Sequence, residues 1–167
     1  MERKLFKYCP YCGTGMIDVS EDNHTRRKCP ECGFVQYLNP APAVGVVVIR
    51  DGKVLLVKRK FEPYKGRWVI PSGFVEWNED VRETAVRELK EETGLDVELG
   101  ALYSVESCFD DPRGNTILIL YMGEVTGGEL VAGDDADDIG FFELDSPPPI
   151  AFEAHRDVLA RLKEEMD

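Results

Sequence analysis

The chain has 167 residues, enough for one domain of ordinary size or for a small module joined to a slightly short domain. Hydrophobic residues make up 43% and charged residues 31%, proportions typical of a soluble globular protein. The net charge of −12 argues against broad electrostatic binding to nucleic acid or to an anionic membrane. No apolar run approaches the roughly 20 residues that span a bilayer. The first residues lack the apolar stretch of a secretory signal, so we expect a cytoplasmic protein.

Acidic residues are concentrated in one part of the chain. From Glu76 to Asp138 there are 18 Asp and Glu residues against 4 Lys and Arg. Such a block is either a solvated face or a site for divalent cations, and the pattern of residues within it has to decide.

Four of the five cysteines form two matching pairs near the start of the chain. Cys9 and Cys12 enclose Pro-Tyr, Cys29 and Cys32 enclose Pro-Glu, and 16 residues separate the two pairs. This spacing is typical of a structural zinc site in which protein thiolates fill all four positions. A redox-active dithiol is the alternative, because the first pair alone resembles the glutaredoxin active site. We therefore predict a small zinc ribbon over residues 1–38, folded with the help of its metal.

The remaining residues, 39–167, alternate predicted strands with two predicted helices. Asp51-Gly52 is a hairpin turn between strands over 43–49 and 54–57. Asn78 is a candidate N-cap for a helix that ends near Thr93, with Gly94 in the C′ position. Its apolar stripe comprises Val81, Ala85, Val86 and Leu89. Further strands are predicted near residues 99–106, 116–125 and 139–144, and a second helix near 152–165. This order predicts a mixed α/β (α+β) domain rather than a doubly wound fold.

The first helix carries an unusual set of carboxylates. Glu88, Glu91 and Glu92 stand at positions i, i+3 and i+4, so their side chains project from one helical face. Like charges at this spacing destabilise a helix unless a cation binds between them. Arg87 projects from a neighbouring face, where it can pair with Glu79 two turns back. The pattern indicates a site for Mg2+ or Mn2+, although a solvated Glu-rich surface would give a similar composition.

The segment from Gly73 to Leu95 resembles the signature box of the Nudix hydrolases in full. That box reads G-x5-E-x7-R-E-U-x-E-E-x-G-U, with U a bulky aliphatic residue, and every fixed position is matched here. The similarity extends over residues 40–165, and a zinc ribbon ahead of such a domain resembles a branch of the family that contains NADH and FAD pyrophosphatases. The resemblance implies an α/β/α sandwich with a mixed sheet.

The resemblance also implies an activity, the hydrolysis of a nucleoside diphosphate linked to another group. It places one to three Mg2+ or Mn2+ ions on Glu88, Glu91 and Glu92, with Gly73 letting a backbone carbonyl approach the metal. Arg87 and Glu79 are the other catalytic-site residues that the box supplies. The general base stays open between Glu88 or Glu91 and an acid of the loop over residues 134–138, where Asp135 and Asp138 stand in place of the family's usual Glu.

The segment after the box bears on the substrate. The S-Q-P-W-P-F-P-x-S array of NADH pyrophosphatases is absent after Leu95, which argues against NADH. The stretch Asp111-Pro112-Arg113-Gly114 instead resembles a motif of ADP-ribose pyrophosphatases, although its proline lies slightly further from the box. This resemblance makes Pro112 and Arg113 candidate substrate contacts, with Phe109 or Trp68 stacking on adenine.

Other functions stay open on the sequence alone. FAD, NADH or a sugar nucleotide is the second candidate substrate, and a housecleaning nucleoside triphosphatase is the third. A nucleotide-sensing regulator that uses the ribbon to bind a partner belongs to a different class, but the intact box argues against it. Relatives of this type are commonly dimers, so a homodimer is a further expectation.

Overall fold

The computed structural model describes residues 5–21, 23–133 and 135–166. The chain divides into two units, Met1–Asn39 and Pro40–Asp167. In the described part of the chain, neither helix is long and apolar enough to cross a membrane.

The first unit is a three-stranded antiparallel sheet below two cysteine turns. Its strands are β1 (Ile17–Glu21), β2 (His24–Lys28) and β3 (Val35–Gln36), in the order β1-β2-β3. Cys9, Cys29 and Met16 are buried, with Phe34 packed against them. So few buried residues give this unit a very small core, which is why an additional crosslink is expected to stabilise it.

The second unit is built on a mixed sheet. Its elements are β4 (Ala41–Arg50), β5 (Lys53–Arg59), β6 (Trp68–Val69), β7 (Ser72–Phe74), α1 (Val81–Thr93), β8 (Leu95–Cys108), β9 (Thr116–Gly128), β10 (Ala136–Glu143) and α2 (Glu153–Met166). The order is β10-β5-β4-β9-β8, with β6 beside β5 and β7 beside β4. β4 and β9 run parallel, whereas the other pairs are antiparallel.

The two helices cover opposite faces of this sheet. Alternate residues of a strand point to opposite faces, and β4 shows this directly. Val44, Val46 and Val48 pack in one cluster with Ala85 and Leu89 of α1. Their neighbours Ala43 and Val47 pack in the other cluster with the α2 residues Val158, Leu159 and Leu162. The predicted α/β/α sandwich with a mixed sheet is therefore confirmed.

Several predicted local features are present in the structure. Asp51 and Gly52 both adopt positive φ, as a two-residue hairpin requires, and Arg50 pairs directly with Lys53. Gly94 ends α1 in the left-handed conformation with φ 72°.

Other predicted details were wrong. The N-cap of α1 is Asp80, not Asn78, because the Asp80 carboxylate accepts the N–H groups of Arg82 and Glu83. Val86 lies at the margin of the apolar stripe and is exposed. β8 begins at Leu95, directly after the helix, and so is longer than predicted.

Candidate functional site

The four paired cysteines converge in the first unit. Gly13 and Gly33 follow the two pairs with φ of 74° and 78°, and each donates its N–H to the carbonyl of the first cysteine of its pair. All four sulfur atoms lie within 4.8 Å of one another. The close sulfur contacts cross between the pairs, from Cys9 to Cys32 at 3.5 Å and from Cys12 to Cys29 at 3.4 Å. Four thiols around one point suit a tetrahedral zinc ion better than two separate dithiols.

Arg87 organises the carboxylates of α1. Its guanidinium donates two hydrogen bonds to Glu79, at 2.7 and 2.8 Å, and one each to Glu88 at 2.9 Å and Glu91 at 3.0 Å. The hydrogen bonds from Arg87 lower the pKa of Glu79 to about 2, since they stabilise its charged form. Arg87 therefore anchors the loop before α1 to the helix face that bears the other carboxylates.

Glu88 packs closely against the strand segment before the helix. A Cβ atom at Gly73 would overlap the Glu88 carboxylate, so a larger residue there would displace that carboxylate from its present position. Burial raises the pKa of Glu88 even though Arg87 opposes the shift. We predicted that Gly73 lets a carbonyl approach a metal; the structure adds a second requirement, which is space for the Glu88 side chain.

Glu92 lies deeper than the other carboxylates of the helix. Its Oε2 accepts a hydrogen bond from the backbone N–H of Ser72 at 2.9 Å. The pKa of Glu92 is raised to about 8, chiefly by burial and also by the charges of Glu88 and Asp135, while the Ser72 hydrogen bond and the charge of Arg59 oppose the shift. The protein therefore stabilises the negative charge of Glu92 only weakly, as expected for a carboxylate that binds a cation.

Glu91 is oriented differently from Glu88 and Glu92. Its side chain is 60% exposed and its carboxylate is held by Arg87. Within the described residues, the cysteines alone bring three or more metal-binding atoms within 4.8 Å of one another. The structure thus brings Glu88 and Glu92 to a common cleft but leaves Glu91 at its margin.

The cleft beside these carboxylates has a volume of about 370 Å³ and is lined by groups of both charges. Its carboxylates Glu88, Glu92 and Asp135 are called the carboxylate wall below, and its guanidinium groups, Arg59 and Arg113, the cationic wall. The other lining residues are Val57, Lys60, Phe61, Glu62, Val69, Ser72, Gly73, Phe74, Glu76 and Arg87. A larger groove of about 680 Å³ runs along the outer side of α1, but its lining includes neither Glu88 nor Glu92.

Hydrogen bonds to other residues hold both arginines of the cationic wall. Arg113 donates to both oxygens of buried Asp111, and Arg59 donates its Nε–H to the carbonyl of Pro63 at 2.8 Å. Burial and the charge of Arg113 lower the pKa of Arg59, while the charges of Asp111, Glu92 and Glu62 oppose the shift. A pair of guanidinium groups attracts an anion with several oxygens.

The structure separates the candidate substrate contacts into two groups. Arg113 and Asp135 line the cleft. Trp68 does not: its ring packs in the core against Phe142, 4.6 Å between centroids, and it is 8% exposed, which leaves little of its surface for stacking on a substrate.

The remaining candidates lie elsewhere on the surface. Phe109, Pro112 and Asp138 are exposed and are not among the described residues that line the cleft. The Asp138 carboxylate instead accepts the N–H of Ile139. Asp134, another acid of the same loop, lies outside the described residues.

Sequence reasoning also missed residues that the cleft contains. Arg59 ends β5, and Phe61 and Phe74 are exposed aromatic residues at the rim. Arg59 could have been noticed as a cation at the end of a buried strand, since loops at strand ends commonly carry functional groups. Ser72 contributes only a backbone N–H, which no side-chain pattern reveals.

Known proteins show similarity over both units of the chain. Residues 39–162 match the NUDIX domain. The ADP-ribose pyrophosphatase of Methanocaldococcus jannaschii is 50% identical over 118 residues, which cover 70% of each chain. The NAD-capped RNA hydrolase NudC of Pseudomonas aeruginosa is 34% identical over 86% of this chain, which spans half of that protein's length.

A solved structure supports the same assignment. A NUDIX hydrolase from Nitrosomonas europaea superimposes with a TM-score of 0.80 at 31% identity, covering 96% of this chain and 93% of the other. Together with the complete signature box and the carboxylate cleft beside it, these similarities establish that the chain belongs to the NUDIX hydrolase family.

Proposed function

We propose that this protein is a Mg2+-dependent hydrolase of the pyrophosphate bond in a nucleoside diphosphate linked to another group, and that ADP-ribose is its substrate. The observation that carries the proposal is the cleft lined by Glu88 and Glu92 together with Arg59 and Arg113. A pyrophosphate needs cations on its oxygens, and this cleft offers two guanidinium groups beside a carboxylate pair suited to divalent ions.

The carboxylate wall fits a hard divalent cation. Glu88 and Glu92 are adjacent carboxylates whose burial raises the pKa of each, so a bound cation would stabilise their ionised forms. Glu88 and Glu92 would hold the metal, with Glu91 reaching it after release from Arg87. When bound, Mg2+ or Mn2+ neutralises the pyrophosphate and lowers the pKa of an attacking water.

The residues of the chain position the substrate and the groups around it. Arg59 and Arg113 bind phosphate oxygens, and Asp111 fixes the plane of the Arg113 guanidinium through two hydrogen bonds. Arg87 binds both Glu79, in the loop before α1, and Glu88, on the helix, and so fixes the two carboxylates relative to each other. Phe61 and Phe74 add exposed aromatic surface to the lining of the cleft.

The general base is proposed among the acids near the cleft. Asp135 lines the cleft and belongs to the loop that we expected to supply such a group, whereas Glu91 is paired with Arg87. An Asp135→Asn variant that retains full turnover would assign proton removal to Glu88 or Glu91 instead.

A substrate panel tests the proposal directly. ADP-ribose, NADH, FAD, diadenosine polyphosphates, UDP-sugars and dNTPs are each incubated with Mg2+, and the products are identified. We expect AMP and ribose 5-phosphate from ADP-ribose, in line with the 50% identical relative. No release of AMP from ADP-ribose would overturn the substrate assignment.

NADH is the second candidate, because the sequence with its cysteine pairs resembles the branch with NADH pyrophosphatases and because a NAD-capped RNA hydrolase matches more of the chain than the ADP-ribose pyrophosphatase does. The NudC match covers 86% of this chain, more than the second unit alone, so it extends into the cysteine unit. The ADP-ribose pyrophosphatase match covers 70%. Preference for NADH over ADP-ribose in the panel would favour this second candidate.

The four cysteines are proposed to hold one structural zinc ion. Four sulfur atoms that all lie within 4.8 Å of one another would fill every position around a tetrahedral ion, which would leave none for a substrate. Metal analysis of the purified protein should give one zinc per chain. A cytoplasmic location and a homodimer stay predictions, the second of which light scattering in solution tests.

A further inference from the structure

His155 is a buried histidine that the proposed reaction does not use. It lies in the first turn of α2, is 4% exposed, and accepts a hydrogen bond at Nδ1 from the backbone N–H of Ile70 at 3.1 Å. Acceptance at Nδ1 means that the neutral ring carries its proton on Nε2. Burial keeps this form dominant, since it lowers the pKa of His155 to about 4.

The hydrogen bond from Ile70 begins a short path to the carboxylate wall. Ile70 is completely buried, and its carbonyl accepts the hydroxyl of Ser72 at 3.0 Å. Two residues after Ile70, the N–H of Ser72 donates to Glu92. The next residue, Gly73, packs against the carboxylate of Glu88. One four-residue segment therefore contacts both carboxylates that line the cleft.

His155 binds Ile70, the first residue of this segment. The sheet fixes the middle, where the N–H of Val46 donates to the carbonyl of Pro71 at 3.1 Å. Ile70 itself follows β6 and precedes β7, so its N–H is outside the regular pairing of both strands. A buried N–H without an acceptor is strongly unfavourable, and the segment would have to shift to reach another one.

We propose that His155 is a positioning residue for the metal site: its Nδ1 fixes Ile70 so that the Ser72 N–H stays aimed at Glu92 and Gly73 stays against Glu88. This inference rests on the proposed function, because it concerns the cation that these two carboxylates would bind. His155 itself contacts neither carboxylate and takes no part in bond cleavage.

The test compares two substitutions at this position. His155→Asn keeps an acceptor oxygen where Nδ1 lies, whereas His155→Leu keeps an apolar side chain without one. Partners outside the first shell of metal ligands typically change metal affinity 10- to 100-fold. We expect His155→Leu to weaken Mn2+ binding about tenfold, measured by titration with electron paramagnetic resonance, and His155→Asn to stay within about threefold of the wild type.

Two further measurements distinguish positioning from loss of folding. Amide hydrogen exchange at Ser72 should accelerate in His155→Leu but not in Leu162→Ala, a control that removes core volume two turns further along α2. The Mg2+ concentration for half-maximal turnover should rise in His155→Leu, while turnover at saturating Mg2+ changes less than about twofold. Equal Mn2+ binding in His155→Leu and the wild type, or an equal loss in Leu162→Ala, would overturn the proposal.

A Glu92→Gln variant separates this inference from the proposed function. If Glu92→Gln leaves Mn2+ binding unchanged, the carboxylate wall is not the metal site, and both proposals fail. If Glu92→Gln loses binding but His155→Leu does not, only the positioning role fails.

Discussion

Glu92 should make the metal-free protein less stable, and replacing it should show by how much. Burial raises its pKa to about 8 from the ordinary 4.5. A pKa difference between folded and unfolded chains changes stability by about 1.4 kcal/mol per pH unit. At pH 7 the folded chain therefore loses about 3 kcal/mol relative to one whose carboxyl titrates normally.

The sign follows from which state binds the proton more tightly. Because the folded pKa lies above the unfolded one, the folded state is favoured at low pH, and its stability declines as pH rises from 4.5 to about 8. Gln is neutral throughout this range and still accepts the N–H of Ser72. We expect Glu92→Gln to raise the free energy of unfolding by about 3 kcal/mol at pH 7, with the gain vanishing near pH 4.

Urea unfolding in Mg2+-free buffer at several pH values measures this difference. Glu91→Gln is the matched control, because it makes the same substitution at an exposed carboxylate of the same helix. Saturating Mg2+ should then stabilise the wild type but not Glu92→Gln, which should also lose Mg2+-dependent turnover by orders of magnitude. An unchanged stability of Glu92→Gln at pH 7 would refute the argument from burial.

Three more outcomes follow from particular contacts. Burial lowers the pKa of His155 in the folded chain to about 4 from 6.5, so protonation of this histidine favours unfolding. As pH falls from 7 to 4, the wild type should therefore lose about 3 kcal/mol more stability than His155→Asn. Equal pH profiles of the two proteins would contradict this. Gly73→Ala should lower Mg2+-dependent activity about tenfold or more with little change in the thermal midpoint, because its methyl group displaces the carboxylate end of the Glu88 side chain; Gly15→Ala, with open space around it, is the control. Cys29→Ser combined with Cys32→Ser should abolish zinc content in metal analysis and unfold the first unit; retained zinc would place the ion elsewhere.

The α1 helix was predictable because its signals are local. The C-cap, the apolar stripe and the facing carboxylates all lie within one helix. Even the error at the N-cap was local, since Asp80 and Asn78 are both good capping residues. The position just before Val81, where the stripe begins, favours Asp80.

The rest of the site depends on contacts between distant parts of the chain. His155 and Ile70 are 85 residues apart, and Ser72 and Glu92 are 20 apart. Trp68 is an aromatic residue beside a loop, a position that suits a stacking residue or a core residue equally. Only the pairing of Trp68 with Lys58 and the packing of its ring against Phe142 assign it to the core. Backbone donors and long-range packing leave no motif in a single sequence.

The carboxylates of the acidic block differ in how far the protein compensates their charge. Glu79 receives two hydrogen bonds from Arg87, and its pKa falls to about 2, so it is stable as an anion without a metal. Glu88 shares the same guanidinium and Glu92 has the Ser72 amide, yet burial raises the pKa of each. A helix built only for solubility would leave all its carboxylates in water. Here two of them are withdrawn into a cleft at a cost to stability, which a cation bound between them would offset.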